Sequence, residues 1–262
     1  MNLTIVQEVS SLATVRPVTL SFEPGRGSFG RIAPTGSDLR PPRQARFMEA
    51  TEVAVREVRT VGPDTVALEV ETPVGFDALP GQFVLVRAEV DGEEYARHYT
   101  ISSPAIEETF EITVGVDPEG SLSPWLADRE AGDTLQVEGP FGTISYDAGE
   151  DGDVVVVSGG PGVGPAVGVG EAAVGGGHDA AVVYEDDAPA HEDRLAGLAA
   201  AGSEVVILGD GAGLADAVSS VVGGDGDSEY YVFGFDEFIQ RAQSALEDAG
   251  VDPDDVLVEN FG

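Results

Sequence analysis

The sequence contains no cysteine and no lysine. Without cysteine, the chain has no disulfides, thiolate zinc sites, cysteine nucleophiles or cysteine-ligated iron–sulfur clusters. Only three histidines are present, His98, His178 and His191, and their scatter gives no metal-ligand spacing. Positive charge is scarce: 13 arginines face 48 acidic residues, for a formal net charge of −35. Such a surface repels phosphate, which argues against nucleic acid and anionic membrane as partners. No apolar run approaches the ~18 residues needed to span a bilayer, so no membrane insertion is expected. The opening "MNLTIVQEVS" lacks the basic start and apolar core of a secretory signal, and a cytoplasmic location is expected.

What remains is a chain of 262 residues, 42% hydrophobic, enough for one large or two ordinary domains. The acids interrupt well-patterned apolar segments, as in a folded protein with a solvated carboxylate coat of the kind halophiles use. Residues 1–47 break this pattern. They hold six of the arginines and only three acids (Glu8, Glu23, Asp38), and they are rich in glycine, proline and serine. They are expected to form a disordered extension, or to reflect an early choice of start, since Met48 opens the acidic, patterned part.

From residue 48 to 148 the pattern is β. "TVALEV" alternates Val66, Leu68 and Val70, and "FEITVGV" alternates Phe110, Ile112, Val114 and Val116. Short strands between Gly, Pro and Asp turns predict an antiparallel barrel. One helix interrupts it at "SPWLADREAGD", with Ser123 as its cap, Pro124 in first position and Gly132 at its end. From 149 to 262 the period changes. "DVVVVSGG" is the continuous apolar run of a buried parallel strand, and strand and helix then alternate several times, predicting a doubly wound α/β domain.

Two short stretches carry chemistry. "SGGPGVGP", Ser158 to Pro165, follows the apolar strand directly. Its glycines allow a tight turn and bring backbone N–H groups to a helix N-terminus, the arrangement of a pyrophosphate cradle. Residues 153–262 contain only two arginines, Arg194 and Arg241, so a dinucleotide there would rely on backbone amides and the helix dipole. A plain strand–helix turn fits the glycines equally well. In "ARHYTISSP", Arg97 can fork onto a phosphate. Tyr99, one pleat on, offers a ring face and a hydroxyl, and Thr100 offers a hydrogen-bonding group on the opposite side. Alone, this also reads as an edge strand with a surface arginine. His98 reads as a partly exposed strand residue, and Trp125 as core packing.

Taken together, R-x-Y-T in a barrel and G-G-x-G-x-x-P opening an α/β domain resemble the ferredoxin–NADP⁺ reductase superfamily. The resemblance also covers "GSLSPWLADREAGDTLQVEGPFG" and the final "FGFDEFIQRAQSALEDAGVDPDDVLVENFG". It implies an antiparallel Greek-key FAD-binding barrel followed by a doubly wound parallel-sheet nucleotide-binding domain. It implies that Arg97 binds the FAD pyrophosphate, Tyr99 stacks on the isoalloxazine and Thr100 bonds near its N5. Gly120, Ser121, Leu122 and Ser123 would cradle the FAD phosphates, with Ser123 the side-chain contact. Gly160, Gly162 and Pro165 would line the pyrophosphate of NADH or NADPH, with Gly234 nearby, and Glu259 and Phe261 would sit near flavin and nicotinamide. Two departures stand out: Phe233-Gly234-Phe235 occupies the place of Cys-Gly-Pro in many relatives, the cysteine lying beside the nicotinamide, and Pro161 replaces a frequent threonine.

The implied activity is electron transfer between NAD(P)H and an acceptor such as ferredoxin, free flavin or a partner oxidoreductase. The alternatives are an electron-transfer subunit with weak nicotinamide binding and a non-catalytic nucleotide-binding sensor. Glu185, Asp186 and Asp187 end the second α/β strand, where an acid favours the free 2′-hydroxyl of NADH. Arg194 is the arginine that would favour NADPH.

Overall fold

The computed structural model describes residues 47–209, 211, 213–223 and 228–261. The extension expected over 1–47 lies outside them except for Phe47.

The first lobe is an antiparallel sheet of β1 (Met48–Gly62), β2 (Thr65–Glu71), β3 (Phe83–Val90), β4 (Glu93–Thr100), β5 (Thr109–Gly115) and β6 (Thr134–Phe141). Its order is β4-β3-β6-β1-β2-β5. A bridge between Ile101 and Ile112 joins the two edges, so the sheet curls into a barrel. Alternation decides what faces inward: Val53 and Val55, Leu68 and Val70, Val84 and Val86, and Phe110, Ile112 and Val114 all enter one core.

Helix α1 (Leu122–Ala127) is shorter than the sequence predicts and begins earlier. Ser123 does not cap it, because its Oγ accepts the Asp117 N–H at 3.1 Å. The helix stops well before Gly132. The Arg129 side chain donates from Nε to the Trp125 carbonyl at 2.8 Å and closes the last turn.

The second lobe alternates β7 (Val154–Gly159), α2 (Val163–Gly176), β8 (Ala180–Glu185), α3 (Glu192–Ala201), β9 (Glu204–Leu208), α4 (Leu214–Val221), β10 (Glu229–Gly234), α5 (Asp236–Asp248) and β11 (Val256–Asn260). All its strand pairs are parallel, in the order β11-β10-β7-β8-β9. One apolar face of the sheet packs with α2 and α3, and the other with α4 and α5. The chain steps outward from β7 to β9, then returns to β10 on the far side of β7. The strand order therefore reverses between β7 and β10, and in open α/β sheets ligands bind at the carboxyl ends of strands at such a point. Gly159 and Gly234 occupy those ends.

Candidate functional site

Strand β4 delivers the first half of the site. Arg97 pairs with Val86 and Tyr99 with Val84, whose side chains face the barrel core, so Arg97 and Tyr99 share the inner face. Thr100 pairs with Phe83 and is also buried. The expected open face on Tyr99 is not found: the ring is only 1% exposed, because the inward register packs it among core side chains. Its Oη is buried with no hydrogen-bond partner among the described residues. Burial pushes the phenol pKa well above its usual range. Arg97 is half-buried, and its Nη1 donates to the Ala96 carbonyl at 3.0 Å. His98 lies on the outer face, half-buried and edge-on to Phe83 and Phe141, with ring centroids 5.0 and 5.8 Å away. Burial, with help from Arg87, lowers its pKa.

In the turn before α1, Gly120 and Ser121 are exposed, while Leu122 is in the barrel core. Ser123 is buried with its hydroxyl committed to Asp117. It is therefore not the exposed side-chain contact the sequence suggests, and accessibility in this turn falls to Gly120 and Ser121.

The second half forms where β7 turns into α2. Gly160 has φ 52°, in the region that favours glycine. Gly162 allows a close approach: a β-carbon there would lie 2.4 Å from the Phe233 carbonyl oxygen. Pro165 is buried in the first turn of α2, which begins without a side-chain cap. Phe233, at the place of the relatives' cysteine, is fully buried and stacked on Tyr231 with centroids 6.0 Å apart, because its register directs it into the core shared with α2. Gly234 instead makes room for the Phe238 ring, which a β-carbon would meet at 2.7 Å. Phe235 lies edge-on to Phe261 at 6.4 Å. Glu259 pairs in register with Phe233, and burial raises its pKa.

The acids after β8 are engaged. Glu185 is buried, and both its oxygens are held by Arg241 of α5, one of them at 3.0 Å from Nη1. It is not an open ribose acceptor as it stands, because its parity on β8 turns it toward the α4–α5 face. Asp186 accepts from the Tyr184 hydroxyl at 2.9 Å and the Ala188 N–H at 2.8 Å. Arg194 is also not where a 2′-phosphate would need it. It reaches Glu171, Glu111 and the Ser102 carbonyl, across the boundary between the lobes.

That boundary joins the two halves of the site. A β-carbon on Gly164 would lie 3.2 Å from Thr113 Cβ, and one on Gly168 would lie 3.2 Å from the Ser102 carbonyl oxygen. Helix α2, which leaves the glycine turn, thus rests directly on the segment that follows Thr100. His191 N donates to the Val61 carbonyl at 2.7 Å, and its Nε2 lies 2.8 Å from Thr113 Oγ1. The sequence reading missed Glu111 and His191. Glu111 sits in the alternating strand "TFEITVG" at an outward position, which looks solvated until α2 and α3 cover it.

These residues fit a flavin with a pyrophosphate. The Tyr99 hydroxyl, on the same strand face as Arg97, is buried without a partner among the described residues, and a buried unpaired hydroxyl costs about 1–3 kcal/mol that a polar ligand group would offset.

Comparison with known proteins agrees. Residues 52–146 match the family model described as the oxidoreductase FAD-binding domain. The glycine betaine monooxygenase reductase subunit of Chromohalobacter salexigens is 44% identical over 100 residues, 36% of this chain and 26% of that protein. NADH-cytochrome b5 reductase 1 of Laccaria bicolor is 30% identical over 120 residues, 44% of this chain and 39% of that protein. The matches thus span well under half the length of these relatives. Among solved structures, the flavohem-like FAD/NAD-binding domain of nitric oxide dioxygenase from Vibrio cholerae has a TM-score of 0.68 at 20% identity, covering 82% of this chain and 100% of that one. A ferredoxin NADP⁺ reductase from Neisseria gonorrhoeae with bound FAD and NADP has a TM-score of 0.66 at 18% identity, with the same coverage.

Proposed function

We propose that this chain is a flavoprotein of the ferredoxin–NADP⁺ reductase superfamily that moves electrons between NADH and a partner acceptor, a reading supported by the FAD-binding-domain match over residues 52–146 and by the two-lobed fold. We assign residues 48–148 to FAD and 149–262 to the dinucleotide. The observation that supports the reading is the close approach of α2, at Gly168, to Ser102, two residues beyond Thr100. FAD, when bound, supplies the hydride and single-electron chemistry. The protein positions and desolvates. Arg97 would bind the pyrophosphate with Gly120 and Ser121, Tyr99 Oη would meet a polar group of the cofactor, and Thr100 would bond near the flavin ring. The backbone of Gly160 and Gly162 would hold the dinucleotide pyrophosphate, and Phe235 and Phe261 would wall the nicotinamide pocket near Glu259.

NADH is favoured because both arginines of the second lobe are engaged, Arg194 across the lobes and Arg241 on Glu185. A 2′-phosphate drawn to Arg241 would strip a buried carboxylate of its counter-charge. The partner is a ferredoxin or an oxygenase component, in line with the reductase-subunit relative from Chromohalobacter salexigens. The acidic composition suits a salt-rich cytoplasm.

The test is the visible spectrum of protein purified in molar KCl, followed under anaerobic addition of NADH or NADPH. The expected result is a yellow protein bleached faster by NADH. A yellow protein that neither dinucleotide bleaches supports the electron-transfer subunit, and a colourless one supports the sensor. Faster bleaching by NADPH would reverse the NADH assignment.

A further inference from the structure

The boundary between the lobes is polar at its centre. Glu111, on β5 of the barrel, is buried and receives hydrogen bonds from Arg194 Nη1 at 2.9 Å and Ser102 Oγ at 2.8 Å, and it also pairs with Arg59. Arg194, on α3, continues to Glu171 on α2, at 2.8 Å from Nε, and to the Ser102 carbonyl at 2.6 Å from Nη2. One guanidinium therefore holds three parts of the chain: the barrel strand β5, the helix leaving the dinucleotide turn, and the backbone two residues beyond Thr100. Around it the packing is tight and made of small groups. Gly164 and Gly168 lie on Thr113 and Ser102, and a β-carbon at Gly62 would meet Ala190 Cβ at 2.7 Å.

We propose that the Arg194–Glu111 pair is a latch that fixes helix α2 against the flavin-side strand, making Arg194 and Glu111 positioning residues for electron transfer between dinucleotide and flavin. This rests on the flavoprotein reading given above. The chemistry favours arginine at this point. Its planar fork can satisfy two carboxylates and a carbonyl in fixed directions, whereas a lysine ammonium is a compact charge that cannot span them. A buried carboxylate that loses its cation is strongly disfavoured, so the lobes resist separating here. Transfer between two bound rings depends steeply on their approach, and a displacement of about 1 Å can cost about 100-fold in rate. The latch touches neither ring, so its loss should alter the transfer step and leave binding of each cofactor nearly intact.

Two variants test this, Glu111→Gln and Arg194→Lys. The chain has no cysteine, so Glu89→Cys and Glu247→Cys on the two lobes give a unique pair of spin-label sites on exposed positions. The expected result is a broader inter-label distance distribution in both variants. It should be accompanied by at least a tenfold slower anaerobic flavin reduction at saturating NADH, with FAD content and NADH dissociation constant changed less than threefold. An unchanged distance distribution would overturn the latch, as would a loss of FAD that matches the loss of rate, which marks simple unfolding. If the unsubstituted protein binds flavin but NADH never reduces it, the flavoprotein reductase reading fails. The spin-label distances still decide the latch in that case.

Discussion

His191 shows how burial and neighbours together set the behaviour of one residue. It sits at the start of α3 with φ 54°, its backbone tied to Val61 and its ring to Thr113. Burial first, then the charges of Arg194 and Arg59, lower its pKa from 6.5 to about 3. The unfolded chain therefore takes up a proton near pH 6.5 that the folded protein refuses until about pH 3. Stability is unaffected by this residue above pH 6.5 and falls as pH drops below it. At pH 5 the loss is about 2 kcal/mol, at 1.36 kcal/mol per pH unit. Asparagine tolerates the left-handed backbone and does not titrate. We therefore expect His191→Asn to be less stable than the parent at pH 8, but to lose about 2 kcal/mol less between pH 7 and pH 5 in denaturant melts. Equal losses in the two proteins would show that the imidazole does not titrate in this way. Glu259, whose raised pKa acts with the opposite sign, is common to both proteins and cancels in the difference.

At the scale of elements, the sequence was most legible where one periodicity ruled. The parallel alternation of strand and helix expected after residue 149 is found, and β7, opened by four consecutive valines, lies at the centre of its sheet. Legibility failed where a side chain had two uses. Ser123 has the right identity for a cap, but it serves an upstream N–H, so α1 shifts. Glu185 has the right place for a ribose acceptor, yet a helix 56 residues on supplies its counter-charge. Such long-range pairings leave no trace in local pattern. The glycine turn is intermediate, because its composition announces a close approach without naming the partner. The partner at Gly162 is the carbonyl of Phe233 on β10, so the glycine is required for packing as well as for any ligand. Gly162→Ala should force β10 and the turn apart, at about 1–3 kcal/mol for overpacking. That corresponds to a melting temperature lower by roughly 2–10 °C in a protein of this size. A melting temperature within 1 °C of the parent would mean that the turn yields freely and the close approach does not constrain it.

At the scale of the whole molecule, two electrostatic effects oppose each other as salt is added. The ion pairs at the surface, such as Arg87–Glu138 and Arg129–Asp133, are worth about 0–1 kcal/mol each and weaken with screening. Against them stands the mutual repulsion of a chain with net charge −35, which disfavours the compact state. Arginines are too few for the first effect to offset the second. The interactions that join the lobes, Arg194 on Glu111 and the tight contacts of α2, are buried and far less accessible to screening. The Debye length falls from about 10 Å at 0.1 M to about 3 Å at 1 M, so repulsion between neighbouring carboxylates is largely lost within that interval. The melting temperature should therefore rise steeply from 0.1 to about 1 M KCl and flatten beyond it, with NaCl giving the same curve because the effect is screening. Glu111→Gln removes one negative charge of a large excess, so it should lower the whole curve without changing its slope. A melting temperature that falls with KCl would show that surface ion pairs dominate. A rise that continues unabated to several molar would instead point to specific ion binding rather than screening.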